Sequence, residues 1–339
     1  MSKDNEITDS QRLIFIGGSP RSGTTLVQNM LDSHPLILGG PEFLHLIDMI
    51  DLRRKLHGSI NREWISIICS REDVDRKIMN WIKDLFLPVA DKNGSQFYSE
   101  KTPENIIVFS ELLELFPEAH FIQILRDPRA ILSSMLQVKK RALAKGLNPP
   151  SFTATSSKSM AYIDRCFSAG AKACKQSPEK VLTIVYEQVV GNPERESKRI
   201  CTHLGIEWDE CMLRPGDKEH MGAKAITTHS NELWYDAKTY NRNIVTHDSE
   251  KWRKQLPLYL QIRATMKFAD NRQLKEHGYD FSVKNIAHEH RFLLKVLIYS
   301  LSVGLFLYNG IHGMARKIPG YSVIKNSILK VARLLKLKR

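Results

Sequence analysis

Three short apolar runs frame this chain. Leu13-Ile14-Phe15-Ile16 leads into Gly17-Gly18, and Phe121-Ile122-Gln123-Ile124-Leu125 and Val181-Leu182-Thr183-Ile184-Val185-Tyr186 follow further along. Continuous runs of this length, without polar alternation, predict strands buried on both faces, as in the centre of a parallel sheet. Helical stretches lie between them. One opens at Thr24-Thr25 and runs to about Ser33, and another follows Pro128 and spans roughly Arg129 to Lys145. A third is marked by Asn192 as N-cap, Pro193 at the first helical position, and Glu194 and Glu196 in the first turn. Strands alternating with helices predict an α/β fold, a three-layer sandwich with a central parallel sheet and helices on both faces. Pro149-Pro150-Ser151 and the Ser/Thr-rich stretch to Ser159 read as a mobile surface loop.

Bulk composition adds one thing to this picture. The 339 residues are 42% hydrophobic and 26% charged, enough for one large domain, or one domain with an appendage. The net charge of +13 is concentrated: from Phe281 onward there are eleven Lys/Arg and one acid, Glu289, so +10 belongs to the tail. The main domain is therefore expected over residues 12–282, after a disordered N-terminus at 1–11 and before a basic, apolar helical tail at 283–339. In that tail Phe292 to Tyr308 is strongly apolar, interrupted only by Lys295 and a few small residues, and Ser322 to Arg339 alternates Val/Ile/Leu with Lys/Arg at helical spacing. Such a helix is suited to an anionic membrane surface; packing back on the domain and a homodimer interface are the other readings. Few aromatics interleave the charges, so no nucleic-acid partner is expected. Five cysteines without a CxxC pair, and an N-terminus without an apolar run, predict free thiols in the cytoplasm, peripheral to the inner face of a membrane if the tail binds one.

The chemistry begins where the first strand ends. Gly18-Ser19-Pro20-Arg21-Ser22-Gly23-Thr24-Thr25 joins strand to helix, so its backbone N–H groups and the helix N-terminus are available to an anion. The spacing is P-loop-like, but Thr24 stands where a nucleotide triphosphatase carries lysine, and the positive charge sits inside the loop at Arg21. A second segment, Leu125-Arg126-Asp127-Pro128-Arg129-Ala130 with Ser133-Ser134, offers a forked cation and a hydroxyl at another strand end. With these two segments the chain, over about residues 12–280, resembles PAPS-dependent sulfotransferases (PAPS is 3′-phosphoadenosine 5′-phosphosulfate), and tyrosylprotein sulfotransferases in particular. Ser99 to Pro103, Val185 to Val189 and Lys251-Trp252 carry the same resemblance more weakly.

The resemblance implies a sulfuryl transfer from PAPS to a hydroxyl acceptor (protein tyrosine, carbohydrate or small alcohol) by in-line displacement, with no metal. It places the 5′-phosphosulfate on Arg21, Ser22, Gly23, Thr24 and Thr25, with Ser230 and Lys251 matching further positions that contact it at a longer mutual spacing, the 3′-phosphate on Arg126 and Ser134, and Tyr186 along the nucleotide site or in the core. Such a reaction needs a base toward the acceptor and fixed positive charge toward the leaving group. Glu42, soon after His34-Pro35, is the expected base, with His45 as its competitor and the first turn of a helix as the structural alternative. Arg21 and Lys101 are expected to stabilise the transferring group, Lys101 from a polar loop. Two departures stand out: Leu44 replaces an arginine of tyrosylprotein sulfotransferases, and Gly39 and Ser99 replace their disulfide cysteines. A P-loop kinase-like phosphotransferase and a catalytically silent PAPS-binding, membrane-associated protein are the competing functions.

Overall fold

The structure, a computed structural model, describes residues 7–222, 233, 243–244 and 250–282. Five parallel strands form one sheet in the order β2-β3-β1-β4-β5: β1 (Leu13–Gly18), β2 (Ile37–Gly39), β3 (Phe97–Lys101), β4 (His120–Leu125) and β5 (Val181–Val185). The helices are α1 (Thr24–Ser33), α2 (Leu46–Asn61), α3 (Arg71–Lys92), α4 (Phe109–Leu115), α5 (Pro128–Ala144), α6 (Ser156–Gln176), α7 (Tyr186–Gly191) and α8 (Pro193–Leu204). The three apolar runs are β1, β4 and β5, and Asn192 caps α8 by accepting the Arg195 N–H.

Alternation along β1 divides the core into two. Leu13 and Phe15 enter a cluster with Phe109, Phe116 and Phe121 and with apolar residues of α2, α3, α4 and α6. Ile14 and Ile16 enter a second cluster with Val27, Met30 and Leu31 of α1 and Ile200, Cys201 and Leu204 of α8. The period of two in a strand thus makes the three layers, because successive side chains must leave on opposite faces. Phe15 is fully buried, with ring centroids 5.6 Å from Phe116 and 5.3 Å from Phe121.

Three expectations change. The stretch Ser151 to Ser159 is ordered as a 3-10 turn (Ser151–Thr153) and the start of α6, with the Thr155 hydroxyl capping that helix through the Lys158 N–H. A loop rich in Ser and Thr is also a helix start when one hydroxyl can serve as N-cap. Lys101 ends a buried strand rather than lying in a polar loop, and β3 escaped notice because more than half of it, Ser99-Glu100-Lys101, is polar although buried. Glu42 precedes α2 and is outside its first turn.

Among the described residues, 128–133 and 250–282 form a second compact unit, and those before 128 and from 134 to 244 form the first. In the second unit Arg129 lies over the rings of Trp252 and Phe281 (4.4 and 4.9 Å) and donates to the Asp280 carbonyl. Three short helices follow there: α9 (Trp252–Gln255), α10 (Leu258–Phe268) and α11 (Arg272–Glu276). The tail from 283 lies outside the described residues, and among the described residues no helix is long and apolar enough to cross a membrane.

Because Phe15 joins β1, β4 and α4 in one core, Phe15→Ala should lower the unfolding free energy by about 3–5 kcal/mol. Urea denaturation followed by far-UV circular dichroism checks this; a loss below about 1 kcal/mol would mean that the central strand is not the packing centre.

Candidate active site

β1 lies between β3 and β4, so the carboxyl ends of these strands deliver three segments to one place: the loop 18–25, Lys101 and Arg126. In open α/β sheets, ligands bind in the crevice at these ends. The loop turns tightly, with the Ser22 N–H donating to the Ser19 carbonyl (3.0 Å). Arg21 sits in the left-handed region at φ 74°, a conformation costing a non-glycine residue about 1–2 kcal/mol. Gly23 is at φ 100°, and a Cβ there would come within 2.2 Å of the Tyr186 ring. α1 then starts without a side-chain cap and without an acid in its first turn, leaving its positive end to an anion.

The two sequence segments are interlocked. Arg21 donates through Nε to the Ser134 hydroxyl (3.0 Å), and the Arg21 carbonyl accepts from Arg126 Nη1 (3.0 Å). The Arg126 guanidinium lies over the Tyr186 ring at 4.1 Å. Within this cluster Arg126 Nε and Ser22 Oγ are buried without a hydrogen-bond partner. An unsatisfied buried donor costs about 1–3 kcal/mol, and a charged one more. Unpaired polar atoms on these two segments are chemically suited to anionic oxygens.

On the other side of the loop Lys101, its side chain 1% exposed, donates to Glu42 Oε1 (2.5 Å) and Thr25 Oγ1 (3.2 Å). The Glu42 segment is fastened at several points. Gly39 N–H donates to Asp32 Oδ1 (2.7 Å) and Gly40 N–H to the Ser99 carbonyl (3.0 Å). Gln28 Nε2 bridges the carbonyls of Gly40 (3.2 Å) and Ser99 (3.1 Å). Gly40 must be glycine, since a Cβ would stand 1.9 Å from the Tyr98 hydroxyl. Gly39 and Ser99, the positions at which the resemblance implies disulfide cysteines, are register partners in adjacent strands; here the Ser99 hydroxyl donates to Gln28 Oε1 (3.1 Å). Cys174 Sγ donates to Gln123 Oε1 (2.9 Å).

The structure thus brings Arg21, Ser22, Gly23, Thr24, Thr25, Glu42, Lys101, Arg126, Ser134 and Tyr186 together. His45 is exposed and pairs with Asp48 (2.9 Å). Lys251 belongs to the second unit, at the N-cap of α9, and Ser230 lies outside the described residues. Sequence reasoning missed Gln28, Asp32, Glu100 and Glu104, whose roles come from cross-strand neighbours that no local pattern reports. Both glutamates are perturbed. Burial pushes Glu100 up to about 7 against its hydrogen bonds to Thr102 and Phe43. Burial also lifts Glu104 to about 7, aided by the charge of Glu42 and opposed by Lys101.

A carboxyl whose folded pKa lies above its unfolded value binds more protons in the native state, so its contribution to stability falls as pH rises between the two values. For Glu104 that window runs from about 4.5 to about 7. Glu104→Gln, which is neutral throughout, should therefore gain thermal stability relative to the wild type as pH is raised from 5 to 8, with little difference at pH 5. Melting temperatures at both pH values test this, and a constant difference would show that Glu104 is not held neutral by its surroundings.

A family model described as the sulfotransferase family matches residues 13–210. The chain is 31% identical over 215 residues to protein-tyrosine sulfotransferase A of Caenorhabditis elegans, covering 62% of this chain and 54% of that protein. It is 27% identical over 252 residues to protein-tyrosine sulfotransferase 1 of Danio rerio, covering 74% and 68%. Several of these curated relatives are matched over only about half of their length. Among solved structures, the sulfotransferase domain from the curacin biosynthetic pathway superposes with a TM-score of 0.54 at 20% identity, covering 77% of this chain and 96% of that domain, which shows a shared fold.

Proposed function

This chain belongs to the sulfotransferase family, and on that premise we propose that it moves a sulfuryl group from PAPS to a hydroxyl acceptor, with Glu42 as the base. The observation that carries the proposal is the meeting of two clusters on one loop. Arg21, Ser134 and Arg126 interlock on one side of it, and Lys101, Thr25 and Glu42 on the other.

PAPS supplies an activated sulfuryl group on a phosphate leaving group; the rest is the work of this chain's residues. The loop 22–25 and the N-terminus of α1 bind the 5′ end, and Arg126 with Ser134 selects the 3′-phosphate. Tyr186, packed between Gly23 and Arg126, keeps that guanidinium in place. Arg21 and Lys101 set fixed positive charge where negative charge grows during transfer, without reorganisation at the moment of reaction. Lys101 has a second task. It holds the Glu42 carboxylate in an ion pair; an anion at the loop mouth competes for the same ammonium, and Glu42 takes the acceptor's hydroxyl proton. Leu44, 59% exposed and two residues beyond Glu42, gives the acceptor side an apolar residue in place of an arginine, so the acceptor class stays broad: protein tyrosine, carbohydrate or small alcohol. Lysine arriving from β3, with Thr24 at the P-loop lysine position, disfavours a kinase-like reaction.

Two outcomes are expected. Arg126→Ala should weaken binding of the product nucleotide PAP by roughly ten- to a hundredfold, corresponding to a charge-assisted hydrogen bond of about 1.5–3 kcal/mol, and leave AMP binding little changed. Calorimetric titration measures both, and equal affinity of the wild type for PAP and AMP would remove the assignment of Arg126. Glu42→Gln should lower turnover of PAPS by roughly 10²–10⁴ at nearly unchanged PAP affinity. Normal turnover in this variant, with loss in His45→Ala, would transfer the role of base to His45.

A further inference from the structure

We propose that Glu100 is a positioning residue for Glu42, holding the backbone of the base through its carboxylate; this rests on the sulfotransferase reading above. Lys101 and Glu100 are neighbours on β3, so their side chains leave on opposite faces of the strand. Lys101 holds the side chain of Glu42 from one side. From the other side, Glu100 Oε1 accepts the Phe43 N–H at 3.0 Å. That N–H belongs to the peptide joining Glu42 to Phe43, so the bond fixes the peptide plane from which the base projects. The same oxygen accepts from the Thr102 hydroxyl (2.6 Å), and Oε2 accepts from the Asn105 side-chain amide. One buried carboxylate therefore ties the connection after β2 to the turn after β3.

The clamp depends on charge. Three donors converge on Glu100, which is 1% exposed, and the ionised form, with acceptors only, holds all three more strongly than the neutral acid. Glu42, across the connection, and Tyr98, on the same strand, are the ionisable groups coupled to it, and burial together with the Glu42 charge raises its pKa to about 7. The protonated form also has a place to go. Asn105 Oδ1 is buried without a partner, so a turned amide would accept the Glu100 hydroxyl proton. The two arrangements differ in how strongly the Phe43 N–H is held, and with it the placement of the base.

The test is Glu100→Gln in the full chain, assayed for PAPS turnover across pH. Misplacement of a reacting group by a fraction of an ångström to 1 Å lowers kcat by roughly ten- to a hundredfold; that loss is expected with KM for PAPS and PAP affinity unchanged. The wild-type rise of kcat with a midpoint near 7 should be absent from the variant. An unchanged kcat, or a retained rise, overturns the proposal, as does a loss that appears in KM for PAPS alone. In wild-type protein carrying ¹⁵N-phenylalanine, the Phe43 amide should shift with a midpoint near 7, and an amide that does not titrate overturns the proposal even if the variant fails to fold. A wild type that binds no PAP and turns over no PAPS, yet shows the Phe43 titration, overturns the sulfotransferase reading and leaves the clamp standing.

Discussion

An ammonium group buried at the end of a central strand governs the arrangement of this site. Lys101 is almost wholly removed from water, and an isolated charge in such a position is costly by several kcal/mol even after relaxation. The neighbouring elements must therefore supply acceptors. Thr25, at the start of α1, and Glu42, in the connection between β2 and α2, both meet it, so one charge draws the loop helix and the glutamate segment together. A buried ion pair contributes little to net stability compared with apolar packing, but losing one partner leaves the other stranded. In the reaction proposed above, that asymmetry is what an incoming anion would act on when it displaces one partner from the other.

The opposite flank follows the same logic with arginines. Arg126 and Arg21 are like charges in close company, held there by a carbonyl acceptor, a hydroxyl acceptor and the face of Tyr186. A left-handed Arg21 and a buried Arg126 Nε without a partner are unfavourable in the free protein. Both become understandable if an anion completes the cluster, because the strain is then offset by contacts made only when ligand is present. Preorganisation of this kind puts the cost into folding rather than into the reaction step.

Between the flanks, polar side chains do what a covalent link would do elsewhere. Gly39 and Ser99 face each other across β2 and β3, and Gln28 bridges the backbone carbonyls beside them while Asp32 takes the Gly39 N–H. These are buried hydrogen bonds, so they help fix the register of a three-residue edge strand that has few backbone bonds of its own. Glu100 extends the same network to the peptide after Glu42.

The sequence alone determined the parts whose physics is local. Continuous apolar runs identified β1, β4 and β5, the Asn192-Pro193 signal marked the start of α8, and the glycines with Arg21 marked the loop joining β1 to α1. The resemblance carried by the two motifs supplied Arg126, Ser134, Lys101 and Glu42 as candidates, all of which meet around one loop. What only the tertiary structure decided concerns groups whose environment is made by distant segments. β2 is too short, and β3 too polar at its buried end, to show as apolar runs; the Ser/Thr-rich stretch became the cap of α6 because one hydroxyl found a helix to start. Glu100 and Glu104 look like ordinary surface acids in the one-dimensional pattern. Their pKa values near 7 and their place around Glu42 and Lys101 arise from burial, which depends on what packs over them rather than on their neighbours in the chain.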